Sequence, residues 1–411
     1  MAFKDYRDPL YGFISVDECE QRIIDSFPFQ RLRGIKQLGT TFLVYPTANH
    51  TRFEHSLGTL EISTRLFDTL LSREEHREIL GWDVVTAAQY RKLLRYAALL
   101  HDIGHAPFSH AAETLFPDNM DHEDYTYNII VDTGIGKDII DKDVGEGKRV
   151  TVAEIATGTA KTRDDAFIAE LLTGDFGSDR LDYLMRDSYH LGVSYGKFDT
   201  QRLLNTLEIR YNEEKGGPEL AIEDGGVHSV EGFLLARYFM FLEVYYHKTR
   251  RILDTHLTEF LESLYDKGYP SRIECFLQLS DHGVLKSLLE REEEESAKRV
   301  ISREHFRLAF ETTDHPKPEE ITLFDWLREK VVDKFGKEIV RFDTAAKAPY
   351  NFEQPPILVS WRKRYYSLKD RSPLIANLKK IQKMRIYARK DYREEVSEFC
   401  EDFWHTKGRG A

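Results

Sequence analysis

Residues able to do chemistry crowd into one stretch of this chain, between His55 and Asp187. Arg52-Phe-Glu-His55-Ser56 comes first, followed by His101-Asp-Ile-Gly-His105-Ala-Pro-Phe-Ser-His110 and His122-Glu123. Ser178-Asp179-Arg180-Leu-Asp182-Tyr183 closes the set. A single histidine on an apolar helix face is most often a satisfied core residue, but here five of the six histidines from position 55 to position 122 (His55, His101, His105, His110 and His122) fall in these motifs. Adjacent His101 and Asp102 at a helix end can aim an imidazole and a carboxylate at one ion, with His55 and Asp179 arriving from other helices. Imidazoles mixed with carboxylates make a borderline-hard donor set, suited to a divalent Mn, Mg, Fe, Ni or Zn ion rather than to a thiophilic metal. Four protein ligands leave positions for water and a substrate oxygen. Such an ion lowers the pKa of bound water and neutralises charge on a phosphoryl group.

Helices must position these groups. From Gln89 to His101, Leu94, Ala97 and Ala98 recur at helical spacing and lead onto His101, with Gly104 and Pro107 as stop signals. Ser56 to Leu71 carries a comparable stripe (Leu57, Leu60, Leu66, Leu70) and puts His55 near a helix start. Residues 142–164, rich in Gly, Thr, Lys and Asp, read as a surface connection, and 166–186 return to a helical pattern. The first strand signal comes late, in a hairpin of Leu207 to Tyr211 and Glu219 to Glu223 about a Lys215-Gly-Gly-Pro218 turn. One long amphipathic helix is expected from about Val230 to Leu264, and a solvated helix face from Glu290 to Arg299. Glu311 to Glu320 reads as a linker or loop, while Ile357 to Trp361 and Lys383 to Ala388 read as strands.

The bulk properties exclude more than they assign. A chain of 411 residues, 41% hydrophobic, can bury a large core. Its net charge of −12 repels nucleic acid and anionic membrane, so a polyphosphate would have to be held by local basic groups. Cys19, Cys275 and Cys400 form no paired spacing, which argues against disulfides or a thiolate metal site and for a cytoplasmic setting. Met1 to Leu10 has no apolar run of the signal-peptide kind. The most apolar stretch, Gly232 to Tyr246, is broken by Arg237 and Glu243 and suits a buried helix better than a membrane span.

Six motifs together resemble a known family: Asp8-Pro-Leu-Tyr-Gly12, Phe29-Gln-Arg-Leu-Arg-Gly-Ile-Lys-Gln-Leu-Gly39, Arg52-Phe-Glu-His-Ser56, His101 to His110, Asp179-Arg-Leu-Asp-Tyr183 and Arg186-Asp187. Over about residues 4 to 260 the chain is similar to the HD-domain deoxynucleoside triphosphate triphosphohydrolases. That branch includes the vertebrate enzyme joining a SAM domain to an HD domain, and the bacterial dGTPases. The resemblance implies a mainly α fold: an HD phosphohydrolase core over 1–265 with a small β-hairpin, then a smaller α+β lobe over 266–411 involved in assembly. It implies that His55, His101, Asp102 and Asp179 bind the metal and that His110 is the catalytic histidine, with His105 and His122 as further active-site histidines. Glu113, three residues beyond His110, can share its helical face and polarise it.

Arg52, Arg180, Arg237 and Lys248 would clamp the triphosphate, a guanidinium offering a planar fork of donors to phosphate oxygens. By the same resemblance Gln37, Tyr183 and Asp187 hold the deoxyribose and Tyr245 lies beside sugar and base. Asp25, Gln30 and Arg33 match a guanine-reading regulatory pocket that spans subunits, which implies a homo-oligomer (dimer or tetramer) with a nucleotide activator. Arg180 stands where the vertebrate enzyme has lysine, and the matching motifs begin at Lys4 with no SAM domain ahead of them. The expected reaction is hydrolysis of a dNTP to a deoxynucleoside and tripolyphosphate. The alternatives are an HD phosphodiesterase or nuclease acting on another nucleotide or a nucleic-acid end, and a nucleotide-sensing scaffold.

Overall fold

The computed structural model of the protein describes residues 4–117, 120–347, 357–362 and 364–408, with the side chains of His110, Ala112 and Lys347 outside that description. Helices dominate. Among the described residues no helix is long and apolar enough to cross a membrane. The chain forms two compact units, and neither is continuous in sequence. The first gathers Met1–Ala236, Lys267–Gly283 and Pro355–Ala376; the second gathers Arg237–Asp266, Val284–Gln354 and Asn377–Ala411. A single cut near residue 265 does not describe this interleaving.

In the first unit three helices carry the candidate metal ligands. Arg52–Leu71 starts five residues before Leu57, the first of the leucine stripe, because Thr51 is its extended N-cap and Glu54 closes a capping box on the Thr51 N–H at 2.8 Å. Arg52 and His55 therefore sit in its first turn, while Leu57, Leu60, Leu66 and Leu70 are buried along it. Val84–Leu100 is capped by Asp83, which accepts the Thr86 N–H, and is buried on all sides from Leu93 to Leu100. Ser178–Leu191 ends at Gly192 in the left-handed region. The pattern expected over 166–186 is in fact two helices, Arg163–Thr173 and Ser178–Leu191. Glycines separate them: a Cβ on Gly174 or Gly177 would fall 2.3 Å from the carbonyl oxygen of Glu170 or Leu172. Residues 142–164 are not a mere surface connection. They contain the helix Lys148–Ala156, whose buried Val152, Ala153 and Ile155 were masked by the charged residues between them.

The strands are β1 (Lys4–Asp8), β2 (Gly12–Val16), β3 (Leu207–Asn212), β4 (Gly217–Glu223), β5 (Arg307–Glu311), β6 (Val340–Lys347), β7 (Leu358–Trp361), β8 (Arg364–Ser367) and β9 (Ile381–Ala388). The β1–β2 hairpin escapes sequence reading because each strand has five residues and little apolar alternation. The expected β3–β4 hairpin forms and extends to β7, parallel to β4, and then to β8. In the second unit β9 lies between β5 and β6, antiparallel to both. Phe310 and Ile386 of this sheet share a core with Phe324, Leu327 and Val331 of helix Pro318–Phe335 and Val396 of helix Arg393–Gly408.

The long helix expected from Val230 to Leu264 is interrupted. Val227–Met240 passes into a π-helical turn, Phe241–Tyr245, closed by the Tyr246 N–H on the Phe241 carbonyl at 2.8 Å. His247 then caps a fresh helix, Lys248–Leu264, through the Thr249 N–H. The charged run from Glu290 is likewise only partly helical, with Glu295–Ile301 burying Ala297 and Val300. The segment expected as a linker holds the last residue of β5 and the start of the helix Pro318–Phe335, where proline at the first helical position gives up no hydrogen bond.

Candidate metal centre

The first turn of Arg52–Leu71, the end of Val84–Leu100 and the first turn of Ser178–Leu191 bring their polar side chains to one point. His55 and His101 face each other through Nε2 at 3.2 Å. Asp179 Oδ1 lies 3.0 Å from His55 Nε2 and 3.5 Å from His101 Nε2. Asp102 approaches His101 with Oδ1 at 3.5 Å and His55 with Oδ2 at 3.7 Å. Ligand atoms of His55, His101 and Asp102 all lie within 4.8 Å of one another. His101 Nδ1 donates to the Ala98 carbonyl at 2.9 Å; since a carbonyl only accepts, the proton sits on Nδ1 and Nε2 keeps its lone pair. Facing nitrogen and oxygen donors of this kind fit a divalent cation.

The electrostatics agree with that fit. Burial works to lower the His55 pKa, but hydrogen bonds to Asp179 and Asp182 outweigh it and raise it to about 10. His101 is raised too, burial being outweighed by Asp102 and Asp179. Burial pushes Asp102 upward, yet Arg52 and the neighbouring histidines hold it well below the carboxylate range. The cluster draws positive charge, which protons or a metal ion can supply. His105 goes the other way: burial, Arg52 and His122 all hold it well below its ordinary value.

Around this point, Arg52 is buried and donates Nη1 to Asp102 Oδ2 at 2.5 Å and Nε to Ser109 Oγ at 3.0 Å. His105 Nε2 lies 3.2 Å from Asp102 Oδ1, and its ring stacks at 4.0 Å on His122, the first residue of helix His122–Asp132. His110 and an exposed Glu113 belong to the 3-10 helix Ser109–Leu115; the His110 side chain is outside the described residues. The two residues before His110 are left-handed, Phe108 at φ 56° and Ser109 at φ 47°. Such residues carry on the order of 1 kcal/mol of strain or more each and persist where neighbours over-determine them. Here Asp281 does so, accepting the Phe108 N–H on one oxygen and the Lys36 N–H on the other, both at 2.8 Å. Burial raises Asp281 to about 6 against those two hydrogen bonds. No sequence signal links Asp281 to residues so far away.

Tyr183 follows Asp179 by one helical turn, its ring centroid 6.5 Å from that of His55. Asp187, one turn further, has Oδ1 2.8 Å from His50 Nε2, and the His50 ring stacks on His190 at 4.5 Å. Gln37 donates its backbone N–H to the His50 carbonyl, and its side-chain oxygen is a buried acceptor with no partner among the described residues. Arg180 donates to the Gly174 carbonyl at 2.5 Å and to Asp175 at 3.2 Å. Arg237, Tyr245 and Lys248 belong to the second unit. There Arg237 lies over the Phe241 ring, Tyr245 packs edge-on against the same ring, and Lys248 lines a cavity of about 600 Å³ with His305, Arg307 and Tyr387. Asp25 accepts from Gln21 Nε2, while Arg33 donates to Gln30 Oε1 and stacks over Phe53. Sequence reasoning assigned no role to His50 or Asp182. Position offered a hint for both, in Asn49-His50-Thr51-Arg52 and in the Asp179-to-Tyr183 motif.

Comparison with known proteins places residues 52–156 in the HD domain and residues 198–410 in the HD associated region. The chain is 32% identical over 378 residues to an uncharacterized protein of Bacillus subtilis, spanning 86% of this chain and 82% of that one. It is 28% identical over 407 residues to a Dictyostelium discoideum homologue of the deoxynucleoside triphosphate triphosphohydrolase SAMHD1, spanning 94% of this chain and 71% of the other. A crystal structure of a hypothetical protein from Aquifex aeolicus superposes with a TM-score of 0.84 at 38% identity, covering 97% of this chain and all of that one.

Proposed function

This chain belongs to the HD-domain family and is one of its phosphohydrolases; from that premise we propose that it hydrolyses deoxynucleoside triphosphates to a deoxynucleoside and tripolyphosphate. The observation that carries the reading is the convergence of His55, His101, Asp102 and Asp179 on one point, beside the ring of Tyr183. Those four residues would hold a divalent ion, which would supply positive charge to the phosphoryl oxygens. Arg52, already anchored on Asp102, keeps a guanidinium beside the same oxygens, and Arg180 adds a second. Tyr183 crowds the sugar where a 2′-hydroxyl would sit. Gln37 and Asp187 take the 3′-hydroxyl, the Gln37 side-chain oxygen being a buried acceptor in want of a donor. His110 protonates the departing 5′ oxygen, with His105, His122 and Glu113 shaping its surroundings. Assembly as a cytoplasmic homo-oligomer, with a guanine nucleotide recognised by Asp25, Gln30 and Arg33, belongs to the same reading.

The test is a panel of dNTPs, NTPs and a cyclic dinucleotide, incubated with Mn²⁺ or Mg²⁺ and resolved into products by ion chromatography. The expected products are deoxynucleoside and tripolyphosphate, with dATP cleaved faster than ATP and the gap narrowed in Tyr183→Ala. Equal rates on dATP and ATP, or cleavage of the cyclic dinucleotide alone, would replace this reading with that of a broader HD phosphodiesterase.

A further inference from the structure

The motif Asp8-Pro-Leu-Tyr-Gly12 has no part in the chemistry above, yet its polar side chains point into the interior. It forms the turn between β1 and β2, with Gly12 at φ 82°, a conformation L side chains rarely adopt. Asp8 divides its carboxylate. Oδ1 accepts the N–H groups of Leu10 and Tyr11 at 2.8 and 3.1 Å, closing the turn, and Oδ2 accepts Arg186 Nη1 at 2.9 Å. Tyr11 donates its hydroxyl to Asp182 Oδ1 at 2.8 Å. Arg186 grips both oxygens of Asp182, Nε to Oδ2 at 2.8 Å and Nη2 to Oδ1 at 3.0 Å. The fourth donor to Asp182 is His55 Nδ1, 2.8 Å from Oδ2, and four donors fill the roughly four lone-pair sites of a carboxylate. Asp182 and Arg186 are fully buried. A Cβ on Gly58 of the facing helix would lie 2.0 Å from Asp182 Oδ1 and 2.2 Å from Arg186 Nη2, so that helix gives up a side chain to admit the pair.

We propose that the N-terminal hairpin turn is the outer support of the metal centre: Asp8 and Tyr11 hold the Asp182–Arg186 pair, and Asp182 fixes the His55 ring with Nε2 facing the ion. The proposal rests on His55 being a metal ligand. A neutral imidazole ligates through one nitrogen and carries its proton on the other, so a locked acceptor behind Nδ1 imposes both the tautomer and the ring angle. His101 receives the same service from the Ala98 carbonyl, a neutral group of its own helix. His55 receives it from a buried carboxylate that is itself held by Tyr11, 171 positions away in sequence. The two histidines are therefore unequal, and the hairpin governs only one of them. Asp182, Tyr11 and Asp8 act as positioning residues, none touching the ion.

The test measures affinity for Mn²⁺ and Co²⁺, by competition with a chelating dye, in wild type, His101→Ala, Tyr11→Phe and Asp182→Asn. The visible spectrum of each Co²⁺-loaded protein and its thermal unfolding in EDTA are recorded alongside. Asp182→Asn should weaken metal binding roughly 10- to 100-fold. Tyr11→Phe, which keeps its ring and removes one hydrogen bond to Asp182, should weaken it about fivefold. Both should change the Co²⁺ spectrum. A network that only braces the fold would lower the unfolding temperature in EDTA and leave affinity and spectrum as in wild type, and that result overturns the proposal. If Asp182→Asn does not fold, Tyr11→Phe decides alone, and unchanged affinity and spectrum in it overturn the proposal equally. If wild type and His101→Ala bind both ions alike, the metal-centre reading itself fails and the proposal falls with it.

Discussion

Both units set carboxylates among histidines and arginines, and Asp179 of the first uses its acceptor oxygen in the opposite way from Glu259 and Asp343 of the second. In the second unit Glu259 accepts from His256 Nδ1 at 3.1 Å, from Arg299 Nη1 at 2.9 Å and from Arg341 Nε. Asp343 takes Arg251 on one oxygen and Arg385 on the other. Each of these anions is matched by guanidinium groups, whose charge is permanent. In the first unit Asp179 meets two imidazole Nε2 atoms that also face each other, so its charge is matched only if a proton or a cation is drawn in. Charged residues packed together do not by themselves mark a working site, because an arginine-saturated cluster is a brace. A carboxylate that faces imidazoles rather than guanidinium groups, as Asp179 does beside the Arg52-paired Asp102, marks a place for an ion.

The largest effect expected from this contrast follows removal of a ligand. His101→Ala or Asp102→Ala should abolish both bound metal and hydrolysis, since charge and geometry are lost together. Elemental analysis of the purified variants beside wild type checks it, and full occupancy with intact turnover in either would erase the distinction between the two clusters. The second cluster should respond only in stability. Glu259→Gln leaves Arg299 and Arg341 short of a counter-charge and should lower the unfolding free energy by about 2 kcal/mol, less than for a fully buried pair because the side chain is 25% exposed. Its urea midpoint should fall while metal content and turnover at saturating substrate stay those of wild type. A loss of metal in Glu259→Gln would show that the brace and the metal centre are not separable.

How much of this was legible in the sequence depends on the range of the interactions involved. The Leu57-to-Leu70 stripe and the apolar run ending at His101 declare their helices, because periodicity is a local property. The β3–β4 hairpin is legible for the same reason, with its Gly-Gly-Pro turn. The donors that meet at the candidate metal centre could be listed from His55, His101, Asp102 and Asp179 because their residue types are rare in such density. What the sequence withholds is the second layer. Asp281 pins Phe108 across 173 positions, and Tyr11 reaches Asp182 across 171; nothing local distinguishes either residue from a surface carboxylate or a core tyrosine. The break at Phe241–Tyr245 was hidden because an aromatic-rich run keeps its apolar character through a π-helical turn. The interleaving of the two units is a matter of long-range contact alone.

The smallest expected effect sharpens the contrast by pH. Burial would raise the Glu259 pKa, but the donors from His256 and Arg341 outweigh it and hold the group at about 2, against an ordinary value of 4.5. A carboxylate depressed in the folded state contributes stability that is fully present above the unfolded-state value and is lost as pH falls toward the folded one. The window therefore runs from about pH 4.5 down to about pH 2. Solvent screening of the exposed quarter of the side chain reduces the contribution. The stability difference between wild type and Glu259→Gln should accordingly shrink by on the order of 0.5 kcal/mol between pH 7 and pH 4. Urea unfolding of both proteins at pH 7, 5 and 4 in EDTA reads this difference with metal removed, so that titration of the metal ligands is common to both curves and cancels. A difference that stays constant to pH 4 would mean that Glu259 keeps an ordinary pKa and that its guanidinium partners do not brace it. A difference that grows on acidification would reverse the sign of the argument and assign the brace to the protonated carboxyl.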